Sequence, residues 1–126
     1  MEVIKSYQNK NKCVILKLGL HFSQEKNLVE GEVELDIENQ AKLVDVLNAV
    51  FAEDLGIILV DLSLVSYIDS SGLWALFEGH KKAAQKKAFF CLISPTFDVK
   101  RVLDITKVSS KMKIFNSCDQ ALSELV

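Results

Sequence analysis

The hydrophobic pattern changes period several times along the chain, and each change marks an element. Val3 to Tyr7 is a short β-prone run, and Gln8-Asn9-Lys10-Asn11-Lys12 is a polar turn. Cys13-Val14-Ile15-Leu16-Lys17-Leu18 follows as a mostly buried strand. Residues 21–31 are polar and read as an extended loop or hairpin, after which Glu32-Val33-Glu34-Leu35 alternates like a half-exposed strand. A helix is expected to open near Asp36, which can cap its first turn. Leu43, Val44, Leu47, Val50 and Phe51 form its apolar stripe, and Gly56 stands where a helix stop is expected. Ile57-Ile58-Leu59-Val60 is then a continuous apolar run, the pattern of a central strand covered on both faces.

A second helix is expected from Ser70-Ser71-Gly72 to about Lys87, with Leu73, Leu76, Phe77, His80 and Ala84 on its buried side. Lys81, Lys82, Lys86 and Lys87 place positive charge at its C-terminal end, where the helix dipole is negative. Ala88 to Ile93 is another buried strand. Ser94-Pro95 reads as a cap and first-turn proline for a short helix through Val99, Val102 and Leu103. Lys111 to Phe115 alternates like an exposed edge strand. Ser117 with Gln120 fits a capping box before a helix carrying Leu122 and Leu125. Strands alternating with helices from residue 32 onward imply an α/β fold with a largely parallel sheet.

Composition narrows the function. The 126 residues fit one domain, 1–126, and 49% hydrophobic with 25% charged residues excludes disordered and fibrous classes. With 15 basic and 17 acidic residues the net charge is −2, which argues against a domain built to hold nucleic acid. Cys13, Cys91 and Cys118 fall in no metal-ligand spacing and are odd in number, so neither a disulfide scaffold nor a structural zinc is expected. Cys91 reads as a small core hydrophobe. The N-terminus lacks the pattern of a signal peptide, and no apolar run approaches the roughly 18 residues that span a bilayer. A reducing cytoplasm is the expected compartment, with no cofactor.

Candidate chemistry concentrates between Ile57 and Leu73, where an apolar strand ending in Asp61 leads through a loop to Asp69-Ser70-Ser71-Gly72-Leu73. In open α/β sheets, loops beyond the carboxyl ends of strands are where ligands bind. Unpaired N–H groups and the positive dipole end at such a helix start would stabilise an anion on Ser70 or Ser71. The same residues also serve as an ordinary cap and a tight turn.

The segment closely resembles the STAS domain of bacterial anti-sigma factor antagonists, in which an apolar strand, Asp61-Leu62-Ser63 and Asp69-Ser70-Ser71-Gly72-Leu73 follow in this order. The likeness continues through Ile93-Ser94-Pro95, Val99 to Thr106, Ile114-Phe115 and Ala121-Leu122, and upstream through Glu34-Leu35-Asp36. The resemblance implies a single STAS-like domain, with a mostly parallel central sheet of four to five strands and N-terminal strands at the edge. It also implies a non-catalytic anti-sigma factor antagonist. The unphosphorylated form would bind an anti-sigma factor that is also a serine kinase, releasing the sigma factor. Phosphorylation of Ser71 would end that binding and a phosphatase would restore it. Asp36, Asp69, Ser70, Gly72 and Trp74 would form the surroundings of the switch. One phosphate would move the net charge from −2 to about −4.

Three positions depart from the family pattern or read in two ways. Trp74, three residues after Ser71, replaces a small residue and reads either as a partner anchor or as a core residue beside Phe77. Val33 stands where the family often has glycine. Asp36 reads equally as a helix cap and as a partner contact. The alternative function is a non-switching STAS scaffold or binding module of a stress-signalling or transport complex. A serine hydrolase fits poorly: His80 lies nine residues and about 13.5 Å along the helix from Ser71, and no GxSxG, P-loop or HExxH motif occurs.

Overall fold

The computed structural model describes residues 1–8, 10 and 12–125, so Asn9 and Asn11 of the polar turn lie outside the described residues. In chain order the elements are β1 (Glu2–Gln8), β2 (Cys13–Gly19), β3 (His21–Ser23), β4 (Leu28–Glu30), β5 (Val33–Leu35), α1 (Gln40–Phe51), β6 (Ile57–Asp61), β7 (Val65–Ile68) and α2 (Ser70–Gln85). They continue with β8 (Phe89–Ile93), α3 (Phe97–Ile105), a 3-10 turn Val108–Ser110, β9 (Ile114–Phe115) and α4 (Cys118–Leu125). The central sheet runs β1-β2-β6-β8-β9. Only β1 is antiparallel, pairing with β2 at the edge; the rest are parallel.

The continuous apolar strands split cleanly by period. Val14, Leu16, Ile58, Val60, Phe90 and Leu92 point into a large core with α1, α2 and α3. Cys13, Ile15, Ile57, Leu59, Cys91 and Ile93 point the other way, into a smaller core beneath α4. β6 therefore lies between two apolar layers, the burial its unbroken run of Ile, Leu and Val requires.

Of the two readings of residues 21–31, the hairpin is the one that forms, β3 pairing with β4 from His21 to Glu30. Several other local expectations are corrected. α1 begins at Gln40, not Asp36: the Asp36 carboxylate accepts from the N–H groups of Glu38 and Asn39 at 3.0 and 3.2 Å, folding a turn that delays the helix. Gly56 is not the helix stop; α1 ends at Phe51 and the left-handed residue beyond it is Asp54, φ 59°. Thr96, not Ser94, caps α3, its hydroxyl accepting from Val99 N–H at 3.3 Å, while Ser94 turns the chain with φ 55°. β9 shrinks to two residues, with Met112 buried in the core. Ser117 caps α4 as read, accepting from Gln120 N–H at 3.1 Å, while the Gln120 side chain reaches one residue further back than in a standard capping box and accepts from Asn116 N–H at 2.8 Å.

The largest correction concerns α2. Its buried positions are Gly72, Ala75, Leu76, Gly79 and Ala83, whereas Phe77 is 37% exposed and Ala84 is exposed. Small residues win because the helix lies very close to its neighbours. A Cβ at Gly79 would stand 2.7 Å from the Phe90 ring. A larger stripe would hold α2 away from the sheet.

Candidate functional site

The site is built on a two-stranded parallel sheet, β5 with β7, that stands apart from the central one. Val65 to Ile68 has apolar ends and a polar middle, and the sequence pattern alone reads it as loop; its strand conformation comes from pairing with β5. The register sets Leu35 beside Ile68. Asp36 and Asp69 thus follow directly at the ends of adjacent strands, which lie about 4.8 Å apart. Asp69 N–H donates to Leu35 C=O at 3.3 Å, fastening the two corners together.

Asp69 is the N-cap of α2, its carboxylate accepting from Gly72 N–H at 3.0 Å. Gly72 is required by space: a Cβ there would overlap the Leu35 carbonyl. The first turn of α2 consequently rests on the end of β5, directly behind the Asp36 turn. Ser70 is exposed and Ser71 half-buried, and neither hydroxyl has a hydrogen-bond partner among the described residues. The N–H groups of Ser70 and Ser71 are in the first helical turn, where no backbone acceptor is available. The geometry assembles a free hydroxyl, two unpaired donors and two carboxylates at one corner. It can accept an anion on the serine at the positive end of a helix, while fixed negative charge borders it.

Asp36, Asp69, Ser70, Ser71 and Gly72 are thus brought together. Trp74 lies on the same side of α2 one turn later and is 47% exposed, so the core alternative for it fails. With Phe77 it continues an exposed aromatic line from Ser71 down the helix. Beside the corner, the exposed apolar residues Ile37, at 72% in the Asp36 turn, and Tyr67, at 51% on β7, escaped the sequence reading. Ile37 carried a signal: it is an isolated aliphatic between Asp36 and Glu38, outside every stripe. Asp36 itself caps a turn rather than a helix, which leaves its position at the corner intact.

The two histidines stand elsewhere. His80 is on the far half of α2, and His21 is on β3 with its Nε2 3.2 Å from Glu30 Oε1. Among the described residues no group of three or more His, Cys, Asp or Glu is placed to hold a metal ion, and no helix is long and apolar enough to cross a membrane.

Comparison with known proteins places this geometry. A model of the STAS domain family matches residues 27–121. A candidate anti-sigma factor antagonist of Thermotoga neapolitana is 38% identical over 68 residues, which cover 54% of this chain and 60% of that protein. A corresponding protein of Thermotoga maritima is 34% identical over the same extent. The aligned chain spans three-fifths of the length of these relatives. The crystal structure of a candidate anti-sigma factor antagonist from Thermotoga maritima is similar with TM-score 0.78 at 25% identity, covering 98% of this chain and 93% of that one.

Proposed function

The chain belongs to the STAS domain family, and on that premise we propose that it is an anti-sigma factor antagonist switched by phosphorylation of Ser71. Anti-sigma factor antagonists of this family are regulatory binding domains rather than enzymes. In this reading the unphosphorylated chain binds an anti-sigma factor that is also a serine kinase, and so frees the sigma factor. Phosphorylation ends that binding, and a phosphatase resets it. The setting is the cytoplasm.

The observation that carries the proposal is the unengaged Ser71 hydroxyl at the start of α2, beside Asp69 and behind the Asp36 turn. A phosphate there adds about −1.5 to −2 charges and three acceptor oxygens. The helix N-terminus tolerates the added anion, a favourable interaction of about 0.3–1 kcal/mol, so the fold survives modification. A partner docked across the corner meets the new charge together with the existing carboxylates. It loses affinity through like-charge repulsion and desolvation. The exposed Ile37, Trp74 and Phe77 supply the apolar contact that holds the partner while Ser71 is bare.

The test is to incubate the chain with ATP and the anti-sigma kinases of its own organism, then map phosphate by mass spectrometry. Binding of Ser71→Ala and Ser71→Asp to the same kinases is measured by calorimetry. Modification at Ser71, binding by Ser71→Ala and loss of binding by Ser71→Asp are expected. No modification by any such kinase, with unchanged binding by Ser71→Asp, would overturn the switch in favour of a non-switching scaffold.

A further inference from the structure

We propose that the recess at the amino end of β8 is a docking slot for an acidic protein segment, distinct from the Ser71 corner. Its basis is a gap in the sheet. Phe89 N–H donates to Gly56 C=O, and Leu62 N–H donates to Ile93 C=O, so the odd-numbered residues of β8 bond toward β6. The even-numbered ones face β9, where Leu92 N–H reaches Lys113 C=O. β9 pairs only with Leu92 and Ile93. Phe90 therefore turns its N–H and C=O toward an edge that β9 does not reach. Neither of these groups has a hydrogen-bond partner among the described residues. An unpaired donor and acceptor on a sheet edge form a template on which another main chain can pair.

A cavity of about 270 Å³ opens beside them between α2, β8 and residues 111–113. Ala83, Ala84 and Met112 give it an apolar floor, and Phe89, 51% exposed, stands at its wall. Lys111 and Lys113 line it and make no ion pair among the described residues. They belong to a strongly biased part of the chain. Residues 79–113 hold nine basic and two acidic side chains, whereas residues 1–78 hold six and thirteen. A net charge near zero conceals a polarised molecule.

An extended acidic peptide matches each of these features. Its amide offers Phe90 an acceptor and a donor, as in strand addition to an open sheet edge. Its carboxylates meet Lys111 and Lys113, and one short apolar side chain fits the floor. Nucleic acid would satisfy the lysines but not the Phe90 pair, and the acidic remainder of the chain repels it. Ala83 is twelve residues beyond Ser71 on α2, about 18 Å along its axis, so this surface works whether or not Ser71 is a switch.

The experiment titrates the ¹⁵N-labelled full chain with a blocked hexapeptide, Glu-Glu-Leu-Glu-Glu-Asp, its lysine-for-acid counterpart and a short single-stranded DNA. The acidic peptide alone is expected to shift the amides of residues 89–91 and 111–113 and to slow hydrogen exchange at the Phe90 amide. Lys111→Glu with Lys113→Glu, both exposed and so neutral to folding by circular dichroism, should weaken binding at least about ten-fold. Ala84→Glu, which puts a carboxylate into the slot, should abolish it. The proposal is overturned if the peptide at millimolar concentration moves none of these amides, if the lysine variants bind unchanged, or if DNA binds the same residues more tightly.

Discussion

Among the described residues, twenty-three are buried in the core beneath α1, α2 and α3, and eight in the core beneath α4. The first face includes Leu43, Leu47, Val50, Leu76 and Leu103, each almost wholly enclosed. The second is closed by an eight-residue helix whose one buried residue is Ala121, with Cys118, Leu122 and Leu125 packed at its margin. The helix bearing Ser71 rests on the deep side. A hydroxyl that is to be recognised by a kinase and read by a partner gains from such a base, because its position is then set by packing rather than by a mobile loop. The thin side carries no part of the corner.

This contrast is open to direct attack. Leu76→Ala should destabilise the chain by about 3 kcal/mol, whereas Leu122→Ala on the thin face should cost about 1 kcal/mol. Urea denaturation of the two variants measures this, and equal losses would erase the distinction. Gly72→Ala should cost about 2 kcal/mol, because the helix start must lift from the Leu35 carbonyl. Its amide spectrum should show displacement at the Asp36 turn as well as in α2; a change confined to α2 would mean that the two corners are not fastened together. Asp69→Ala should cost about 1 kcal/mol through the lost cap, with Asp69→Asn restoring most of it.

A pH dependence is expected on the thin face. Burial pushes the thiols of Cys13 and Cys91 up to about 11, above the roughly 8.5 of an unfolded cysteine. The folded chain therefore holds these protons after the unfolded chain has released them. This contribution to stability is fully present below about pH 8 and is lost as the pH rises toward about 11. Urea midpoints between pH 7 and pH 10 should decline less in the Cys13→Ala, Cys91→Ala double variant; an identical decline would show that the buried thiols contribute nothing.

The central strands and α1 were the legible parts of the sequence. Unbroken runs such as Ile57 to Val60 announce a doubly covered strand, and the α1 stripe of Leu43, Leu47, Val50 and Phe51 is buried as its spacing requires. Legibility failed where tertiary contact overrides local pattern. Val65 to Ile68 is a strand only because β5 lies beside it. The buried side of α2 follows Gly72, Ala75, Gly79 and Ala83, residues that hydrophobic periodicity ranks below Phe77. Asp36 illustrates a third kind of miss: the carboxylate caps N–H groups as expected, but it closes a turn that leads into the helix, which itself begins four residues later at Gln40. At the corner, the serines, Asp69 and Gly72 could be placed from their order in the chain. Ile37 left only the weak signal of an aliphatic outside every stripe, and Tyr67 left none, because the strand that exposes it forms only by pairing with β5.

The endings of α2 and α3 bear on how such a chain could adapt to heat. Lys87 and Lys107 follow these helices in left-handed conformations, φ 59° and 65°, where a side chain costs about 1–2 kcal/mol relative to glycine. Glycine at either position gives back part of that sum through the greater freedom of its unfolded state, about 0.5–1 kcal/mol. A margin of several tenths of a kcal/mol remains at each. The chain thus holds thermal headroom in two short turns, outside both cores and away from the Ser71 corner. A lineage moving to a hotter habitat could draw on it with single substitutions while leaving its signalling surface as it is.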